Sequence, residues 1–364
     1  MQQCDGPTEA GVARCLQKKG RDCSGRPCHP KESAVILPDR DSVRAIAEGR
    51  PTPAPLPRIH KDGPPDGKAP AVTGSPSSLR DLLTLIRPHQ WVKNGFVAIP
   101  LLLTPWAWTW GAAVFTALGI VAFSFTASAV YIMNDYLDRE ADRRHPKKRH
   151  RPLAAERVPI PVAFLAMGIL LAMGFGLAIS ISGPFAGILA LYFGLNIAYS
   201  VKLKHVAILD VLIIATGFVL RVEAGAMLAA VVTTSWITIM IGLLALFIAL
   251  GKRHDDLVSN MSLSHRPSLA GYNQAFLSSA MTAVLGALLA AYLIYTTDAE
   301  TQARMQTEQL FYTAPFVAAG VMRYLQLMFV EKRTGDPTRI ALTDRFLQGT
   351  IGAWALCFGF LVYF

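Results

Sequence analysis

Long apolar runs recur after residue 90, and they constrain the fold more than any other feature of the chain. A helix that crosses a bilayer needs roughly 20 mostly apolar residues, and several of these runs are about that long. Charged residues make up 16% of the chain and hydrophobic residues 52%, whereas soluble proteins are about 25% charged. The sequence therefore predicts an all-α, polytopic membrane protein.

Nine apolar segments are candidate membrane spans. They lie near 94–110, 112–134, 159–181, 184–201, 206–229, 234–251, 273–296, 310–330 and 346–364. The first contains Pro100 and Pro105, so we expect it to be bent or short. Just before it, LRDLLTLIRPHQWVKN places leucines beside arginines at helical spacing, which predicts a helix that lies along the membrane surface.

Lys and Arg residues are concentrated in alternate loops. The loop after the second candidate span carries eight of them from Arg139 to Arg157, and the intervening loops carry only Arg304. By the positive-inside rule, the N-terminus and the basic loops are cytoplasmic and the C-terminus faces out. Because the net charge of +10 follows this pattern, we expect a multi-pass protein of the inner (plasma) membrane with no nucleic-acid partner.

Residues 1–78 differ in composition from the rest of the chain, because they are rich in Pro, Gly and Ser and poor in aromatic residues. Such a segment cannot bury enough apolar surface to fold. We expect a disordered, basic cytoplasmic tail, followed by a transmembrane domain over residues 79–364. The spacing of four cysteines in the tail is irregular and gives little support for a zinc site: Cys4, Cys15, Cys23 and Cys28.

The stretch NDYLDREAD, residues 134–142, directly extends an apolar span. On one helix its aspartates Asp135, Asp138 and Asp142 would fall within an arc of about 60°. Three like charges on one face repel unless a cation lies among them, and hard oxygen ligands, including Asn134, suit Mg²⁺. We therefore predict a Mg²⁺ site that holds a diphosphate. The alternative is a solvated loop balanced by the bases that follow.

The fifth candidate span carries ionisable residues inside an otherwise apolar helix. Asp210 and Arg221 are close to three helical turns apart, so they share a face. Charged groups at that depth usually line a polar cavity. A structural pair between Arg221 and Glu223 is the alternative, although residues two apart do not face each other well on a helix.

Further polar side chains flank the candidate spans on the same predicted side of the membrane. Arginine forks match phosphate oxygens, and a one-sided polar mouth on a helical bundle would suit a phosphate-rich substrate. The candidate substrate-binding residues are Lys93, Asn134, Arg149, Arg151, Tyr199, Lys202, Lys204, His205, Arg221, Lys252 and Arg253.

With its NDxxDxxxD motif, the sequence resembles the UbiA superfamily of intramembrane transferases over roughly residues 79–364. Members of that family use the first aspartate motif with Mg²⁺ to hold a diphosphate, whose departure leaves a carbocation-like centre. Most move a prenyl chain onto an aromatic acceptor, and they carry a second aspartate motif, DxxxD, on the fifth span. This chain keeps Asp210, but Ile214 stands where the second acid is usual.

Longer stretches are similar to the decaprenyl-phosphate phosphoribosyltransferase branch of that family, among them RPHQWVKN, LKHVAILDVLIIATGFVLRVEAGA and GKRHDDL. The resemblance implies that phosphoribosyl pyrophosphate is the donor, that a polyprenyl phosphate is the acceptor, and that the product feeds cell-wall arabinan synthesis. It also implies catalytic roles for Asp135, Asp138, Asp142 and Asp210.

An aromatic prenyltransferase is the alternative enzyme, and a transporter for a phosphorylated metabolite is the non-enzymatic alternative. A transporter is typically built from paired repeats with broken helices, and the sequence shows no convincing repeat. A homo-oligomer is compatible with such a bundle, although no interface is legible in the sequence.

Overall fold

The secondary structure of the described residues is helical throughout. The structure is a computed structural model, and it describes residues 78–146, 148–258, 267–332 and 337–363. The predicted tail over 1–78, with its four cysteines, lies outside the described residues apart from Ser78. Ser78 caps the first helix by accepting a hydrogen bond from the Arg80 amide.

The α-helices follow one another with short connections, several of which are 3₁₀ turns. In chain order they are α1 (Leu79–Ile86), α2 (Ile99–Leu102), α3 (Trp110–Leu137), α4 (Arg139–Arg144), α5 (Ile160–Ile181), α6 (Gly183–Val201), α7 (Leu209–Leu228), α8 (Ser235–Val258), α9 (Gln274–Thr297), α10 (Ala299–Met305), α11 (Ala314–Phe329), α12 (Pro337–Thr343) and α13 (Arg345–Tyr363). The 3₁₀ segments relevant to the site are Pro88–Ala98, Lys148–His150, Leu203–His205 and Pro267–Gly271.

Seven of the described helices are long and apolar enough to cross a membrane. They are α3, α5, α6, α7, α8, α9 and α13, and they agree closely with seven of the predicted segments. The predicted count of nine is not confirmed. The segment near 94–110 is a 3₁₀ stretch followed by the four-residue α2, and α11 has 16 residues.

Capping side chains set several of the helix starts. Thr109 accepts a hydrogen bond from the Ala112 amide at the start of α3, and Ser182 does the same for Phe185 at the start of α6. Asn273 begins α9 in this way. These are the residue types that satisfy the free amides of a first helical turn. The local sequence therefore determines where these three helices begin.

The helices pack so that the polar ends of several of them meet. α3 lies along α5, and α7 packs against α6, α8 and the segment Pro88–Ala98. α8 continues to Val258, seven residues past the end predicted from its apolar run, so GKRHDDL lies on the helix and not after it. The C-terminal ends of α3 and α8 and the N-terminal end of α7 form the region described next.

Candidate active site

The helix that carries the acidic motif breaks inside that motif. α3 ends at Leu137, and Asp138 caps it with φ −91° and ψ 1° before α4 begins. The spacing had predicted one continuous helical face for the three aspartates. Because the helix breaks, they do not share one. Asp135 and Asp142 meet through a shared arginine, whereas Asp138 contacts a lysine from another loop.

Asp135 is the centre of a charged cluster at the end of α3. Its Oδ1 accepts hydrogen bonds from Arg87 Nη2 at 2.6 Å and from Arg151 Nη1 at 3.0 Å. Arg151 Nη1 also donates to Asp142 Oδ2 at 2.7 Å. Asp135 is 2% exposed and Asp142 3%. Charge-assisted bonds at such buried positions are strong, so these four side chains hold one another in place.

Asp138 belongs to the same region but takes its partner from the loop before α7. Lys204 Nζ, on the 3₁₀ segment Leu203–His205, contacts Asp138 Oδ1. With Arg87 and Arg151, Lys204 completes a set of three bases opposite the three aspartates. We call these six residues the mouth cluster, and its formal charge is zero.

The donor chemistry of the mouth cluster suits Mg²⁺, because carboxylate oxygens are the ligands that this ion prefers. Asp135 Oδ2 is buried and has no hydrogen-bond partner, so one carboxylate oxygen remains available there. Asn134 is half-buried on the last turn of α3. No group of three or more acidic, His or Cys side chains is arranged as a metal cage within the described ranges, since each aspartate faces a base. The types of side chain present therefore fit the predicted Mg²⁺ site, whereas their arrangement in the structure does not form a metal cage.

Arg221 lies deep in the bundle and is 6% exposed. Its Nε donates to Asn94 Oδ1 at 2.9 Å, and its Nη2 donates to the Tyr192 hydroxyl at 2.9 Å. Nη1 donates to the Gly217 carbonyl at 2.7 Å, and the guanidinium lies over the Tyr192 and Phe218 rings. All of these partners are neutral. A buried cation held in this way keeps its positive charge available to an anion.

The Arg221–Glu223 pair, the alternative suggested by the sequence, does not form. Glu223 accepts hydrogen bonds from the hydroxyls of Thr233 and Thr238. Arg221 bonds to Asn94, and Glu223 bonds to these threonines. The two charged side chains therefore have separate, neutral partners.

Gly225 allows the segment Pro88–Ala98 to approach α7. A Cβ atom at Gly225 would overlap the Val97 carbonyl, and backbone cannot move aside as a flexible side chain can. Gly225 lies one turn after Arg221 on the same helix face. The close approach therefore brings Asn94, which is fully buried, within reach of Arg221.

Asp210 lies at the start of α7 and is completely buried. Its Oδ2 accepts from Arg253 Nε at 2.6 Å and from Ser268 Oγ at 3.1 Å, and its Oδ1 accepts from the Tyr272 hydroxyl at 2.6 Å. Burial and the hydrogen bond to Asp210 raise the pKa of Tyr272 to about 12, so its hydroxyl keeps the proton that it donates. We call Asp210, Arg253, Ser268 and Tyr272 the buried node.

Arg253, a predicted substrate-binding residue, faces this node and has no exposed surface. Its Nη1 lies 3.3 Å from Asp256 Oδ2, and its Nη2 is buried without a hydrogen-bond partner in the structure. Asp210 and Arg221 both lie on the continuous helix α7, as expected for a shared face, and they bind different partners. The substrate-binding role of Arg253 stays a prediction.

The other predicted site residues differ in exposure. Tyr199 is half-buried on the last turn of α6, and Lys202 and His205 are exposed on either side of Lys204. Arg149 is exposed on the segment Lys148–His150, two residues before Arg151. The remaining two, Lys93 and Lys252, are exposed on the segment Pro88–Ala98 and on α8.

Sequence reasoning missed several residues of this region. Arg87 was interpreted only as a base flanking a surface helix, yet it binds Asp135 and lies over the Tyr131 ring. Tyr192 lies within an apolar run and Tyr272 lies between Gly271 and Asn273, and neither belongs to a motif. Only the adjacent Pro88 marked Arg87 as special, because a residue before proline is a probable helix end.

Comparison with known proteins shows the family to which the chain belongs. The UbiA prenyltransferase family model matches residues 95–350. The chain belongs to the UbiA prenyltransferase family. As a UbiA-family protein it is an integral membrane transferase, and curated relatives confirm the predicted resemblance to the phosphoribosyltransferase branch.

Two of these relatives carry the name decaprenyl-phosphate phosphoribosyltransferase. The protein from Mycolicibacterium smegmatis is 31% identical over 82% of this chain and 97% of its own length. The protein from Corynebacterium glutamicum is 32% identical over 79% of this chain and 89% of its own length. The likeness therefore spans nearly the whole of both relatives.

Solved structures share the fold at lower identity. A UbiA homolog from Archaeoglobus fulgidus bound to GPP and Mg²⁺ matches with a TM-score of 0.58 and 19% identity, over 78% of this chain and 99% of that one. A structure described as digeranylgeranylglyceryl phosphate synthase matches with a TM-score of 0.56 and 15% identity, over 78% of this chain and 98% of that one. At such identities the likeness shows the fold of this UbiA-family chain.

Proposed function

We propose that this protein transfers a 5-phosphoribosyl group from phosphoribosyl pyrophosphate to a polyprenyl phosphate. The observation that carries the proposal is the mouth cluster, in which three acids and three bases converge at the end of α3. Carboxylates there can share a metal with a diphosphate, and the bases can then pair with the phosphate oxygens. The names of the mycobacterial and corynebacterial relatives point to the same substrates.

The acids of the mouth cluster, with Asn134, are the proposed Mg²⁺ ligands. When bound, the ion neutralises charge on the leaving diphosphate. Arg87 and Arg151 hold Asp135 while no substrate is present, and both can turn to the diphosphate because a fork of N–H groups fits its oxygens. Lys93 and Arg149 lie on the adjoining segments and are further candidates for the diphosphate.

The proposed chemistry is a displacement at the ribose C1 atom. The bond from C1 to the diphosphate oxygen breaks, its electron pair leaves on the diphosphate, and an oxygen of the lipid phosphate forms the new bond to C1. A phosphate monoester is already anionic, so the acceptor needs no strong general base. Bases that hold the two monophosphates directly would orient them for this step.

The proposed phosphate-holding bases are on or near α7. Lys202, Lys204 and His205 form a basic loop beside the mouth, and Arg221 supplies a buried positive charge with neutral partners. Tyr199, Lys252 and Arg253 are further candidates from the sequence. These groups can hold the 5-phosphate of the ribose or the phosphate of the lipid, since both carry the same chemistry.

The proposed setting is the inner (plasma) membrane. A water-soluble donor and a lipid acceptor would meet at the cytoplasmic side, where the positive-inside rule places the mouth and the N-terminus, with the C-terminus outside. The product would be a lipid-linked phosphoribose, which the resemblance assigns to the supply of arabinose donors for cell-wall arabinan. A homo-oligomer is compatible with this arrangement.

The second candidate is a prenyltransferase that takes a prenyl diphosphate in the same site. It is favoured by the solved UbiA homologs described as bound to GPP or DMAPP with Mg²⁺. Against it, the position of the second acid is Ile214, which packs against the apolar cluster around Val211, Leu277 and Tyr272. A second metal–diphosphate ligand set is therefore missing at α7.

A donor assay separates the two candidates. Purified protein in lipid is given labelled phosphoribosyl pyrophosphate with polyprenyl phosphate, or labelled geranyl diphosphate with an aromatic acceptor. We expect Mg²⁺-dependent label in the organic phase from the first pair alone, and none with Asp135→Asn. Transfer from geranyl diphosphate to the aromatic acceptor, without transfer of phosphoribose, would decide for the prenyltransferase.

A further inference from the structure

Both carboxylate oxygens of Asp210 are engaged by other side chains of the protein. Three donors bond to its two oxygens, and neither Asp210 nor Arg253 has exposed surface. A buried carboxylate with both oxygens engaged in this way acts most directly through the residues that it holds. The question is therefore which part of the mouth depends on the buried node.

Tyr272 connects the node to the loop before α7. Its hydroxyl donates to Asp210 and accepts the Ile208 amide at 2.6 Å. Ile208 has φ 70°, a left-handed conformation that is strained for a β-branched side chain. Such a conformation persists only where surrounding contacts impose it, and the Tyr272 hydroxyl is one of these contacts.

Hydrogen bonds and packing constrain the loop between Lys204 and Ile208. The Val206 amide donates to the Leu203 carbonyl at 3.1 Å, and the Asp210 amide donates to the Val206 carbonyl at 3.1 Å. On its other side the loop touches the segment Pro267–Gly271, where a Cβ atom at Gly271 would lie 2.5 Å from Ala207 Cβ. A shift at Ile208 is therefore passed on to Lys204.

We propose that the buried node is a positioning site: Tyr272, held by Asp210, sets the loop conformation that directs Lys204 toward Asp138. The proposal rests on the proposed function for the role of Lys204 in substrate binding. It reassigns Asp210 from a catalytic residue to a positioning residue. Arg253 then supplies, as a built-in cation, the positive charge that Asp210 requires.

A double-mutant cycle tests this coupling. Tyr272→Phe removes the hydroxyl, so the KM for phosphoribosyl pyrophosphate should rise about tenfold, with kcat changed less, as expected for loss of one ionic contact. In the background of Lys204→Ala the same change should have almost no further effect, because residues that act through one contact are not additive. Effects that multiply in the double variant would overturn the proposal.

Hydrogen exchange of the same variants gives a readout that does not depend on the reaction. We expect peptides covering 203–208 to exchange about tenfold faster or more in Tyr272→Phe, since the local opening free energy falls. Tyr295→Phe is the matched control, because it removes a buried hydroxyl that has no partner in the structure. Unchanged exchange over 203–208 in Tyr272→Phe would overturn the proposal, even if phosphoribosyl transfer itself were never detected.

Gly271→Ala provides a second route to the same loop. It leaves every polar group of the node in place but forces Ala207 to move. The added methyl should raise the KM for the donor and speed exchange over 203–208, as Tyr272→Phe does, and should likewise have little further effect on the KM in Lys204→Ala. If Tyr272→Phe does not fold, this variant decides, and normal kinetics with normal exchange would reject the positioning role.

Discussion

Asp135 in the mouth cluster and Asp210 in the buried node are both almost inaccessible, yet they differ in what remains for them to bind. Asp135 uses one oxygen for two arginines and leaves the other without a partner. Asp210 uses both oxygens for three donors. Under the proposed function Asp135 binds the metal ion and Asp210 does not, so burial alone does not separate a ligand-binding acid from a structural one. The number of unused acceptor positions does.

The strongest test of this difference is Asp135→Asn. It removes the charge from the carboxylate with the unused oxygen, so we expect transfer activity to fall by about 1,000-fold or more, the scale of lost leaving-group stabilisation. Membrane insertion and thermal unfolding should stay close to those of the parent protein. Glu140→Gln, which changes an exposed acid of the same motif, is the control and should keep its activity; near-normal turnover in Asp135→Asn would remove the central claim.

Asp210→Asn should lower stability more than it lowers the activity of the folded protein. It removes the closer counter-charge of the buried Arg253 and leaves only Asp256, at 3.3 Å, and breaking a buried pair costs about 3–5 kcal/mol of stability. We therefore expect a large fall in the unfolding temperature, measured in detergent, with activity lost in proportion to folded protein. Glu300→Gln breaks an exposed pair with Arg304 and should change stability by about 1 kcal/mol or less. A stable but inactive Asp210→Asn would return Asp210 to the catalytic group.

Arg221→Gln tests whether the basic residues of the site bind substrate phosphate, as the acids are proposed to bind the metal ion. We expect weaker use of the phosphorylated donor or of the lipid acceptor by about 1.5–3 kcal/mol, the range for a lost hydrogen bond to a charged group. Lys204→Gln should act in the same direction. The Mg²⁺ optimum should not move in Arg221→Gln, because Arg221 bonds to neutral partners and not to the three aspartates. Unchanged dependence on both substrates in both variants would favour the prenyltransferase candidate.

A smaller effect is expected for Arg87→Gln. Loss of one base leaves the mouth cluster with a net negative charge, so free divalent cations should bind a few-fold more tightly before any donor is added. Mn²⁺ binding measured by electron paramagnetic resonance would detect the change. Arg143→Gln is the matched control, because Arg143 pairs with Glu140 and Glu156 and not with the three aspartates. Equal Mn²⁺ affinity in both variants would argue against competition between Arg87 and the metal.

The smallest effect should come from shortening the chain. If both clusters are complete within residues 79–364, a protein that begins at Leu79 should insert into membranes and keep its kcat and KM. Limited proteolysis of the full chain should also stop near that point, as expected for a tail that does not fold. A shortened protein that folds but lacks activity would show that residues 1–78 contribute to one of the clusters.

The membrane-spanning part of the fold could be predicted because the bilayer demands long apolar helices. The α8 boundary could not, since its last turns are polar and yet Arg253 is buried there. The break at Asp138 was also missed. The spacing of acids describes a face of an ideal helix, and it does not report where that helix ends.

The acids of the site were visible in the sequence, as were Arg151, Lys204 and Arg253, but three other partners were not: Arg87, Ser268 and Tyr272. Arg87 is 48 residues from Asp135, and Tyr272 is 62 residues from Asp210. Such pairs depend on how the helices pack, and single-sequence patterns report only near neighbours. Asp210 looked like Asp135 for this reason, because the donors that distinguish them come from other helices.

The apolar packing of Ile214 limits how this chain could change its metal requirement in evolution or in the laboratory. Introducing an acid at that position alone would place a charge among Val211, Leu277 and Tyr272, which is costly without a partner. Removing Arg253 alone would leave the buried Asp210 carboxylate without its positively charged partner. Each single step leads to a less stable protein, so a route to a second metal-binding acid pair needs both changes together. The proposed single-metal site is therefore difficult to convert into a two-metal site by stepwise substitution.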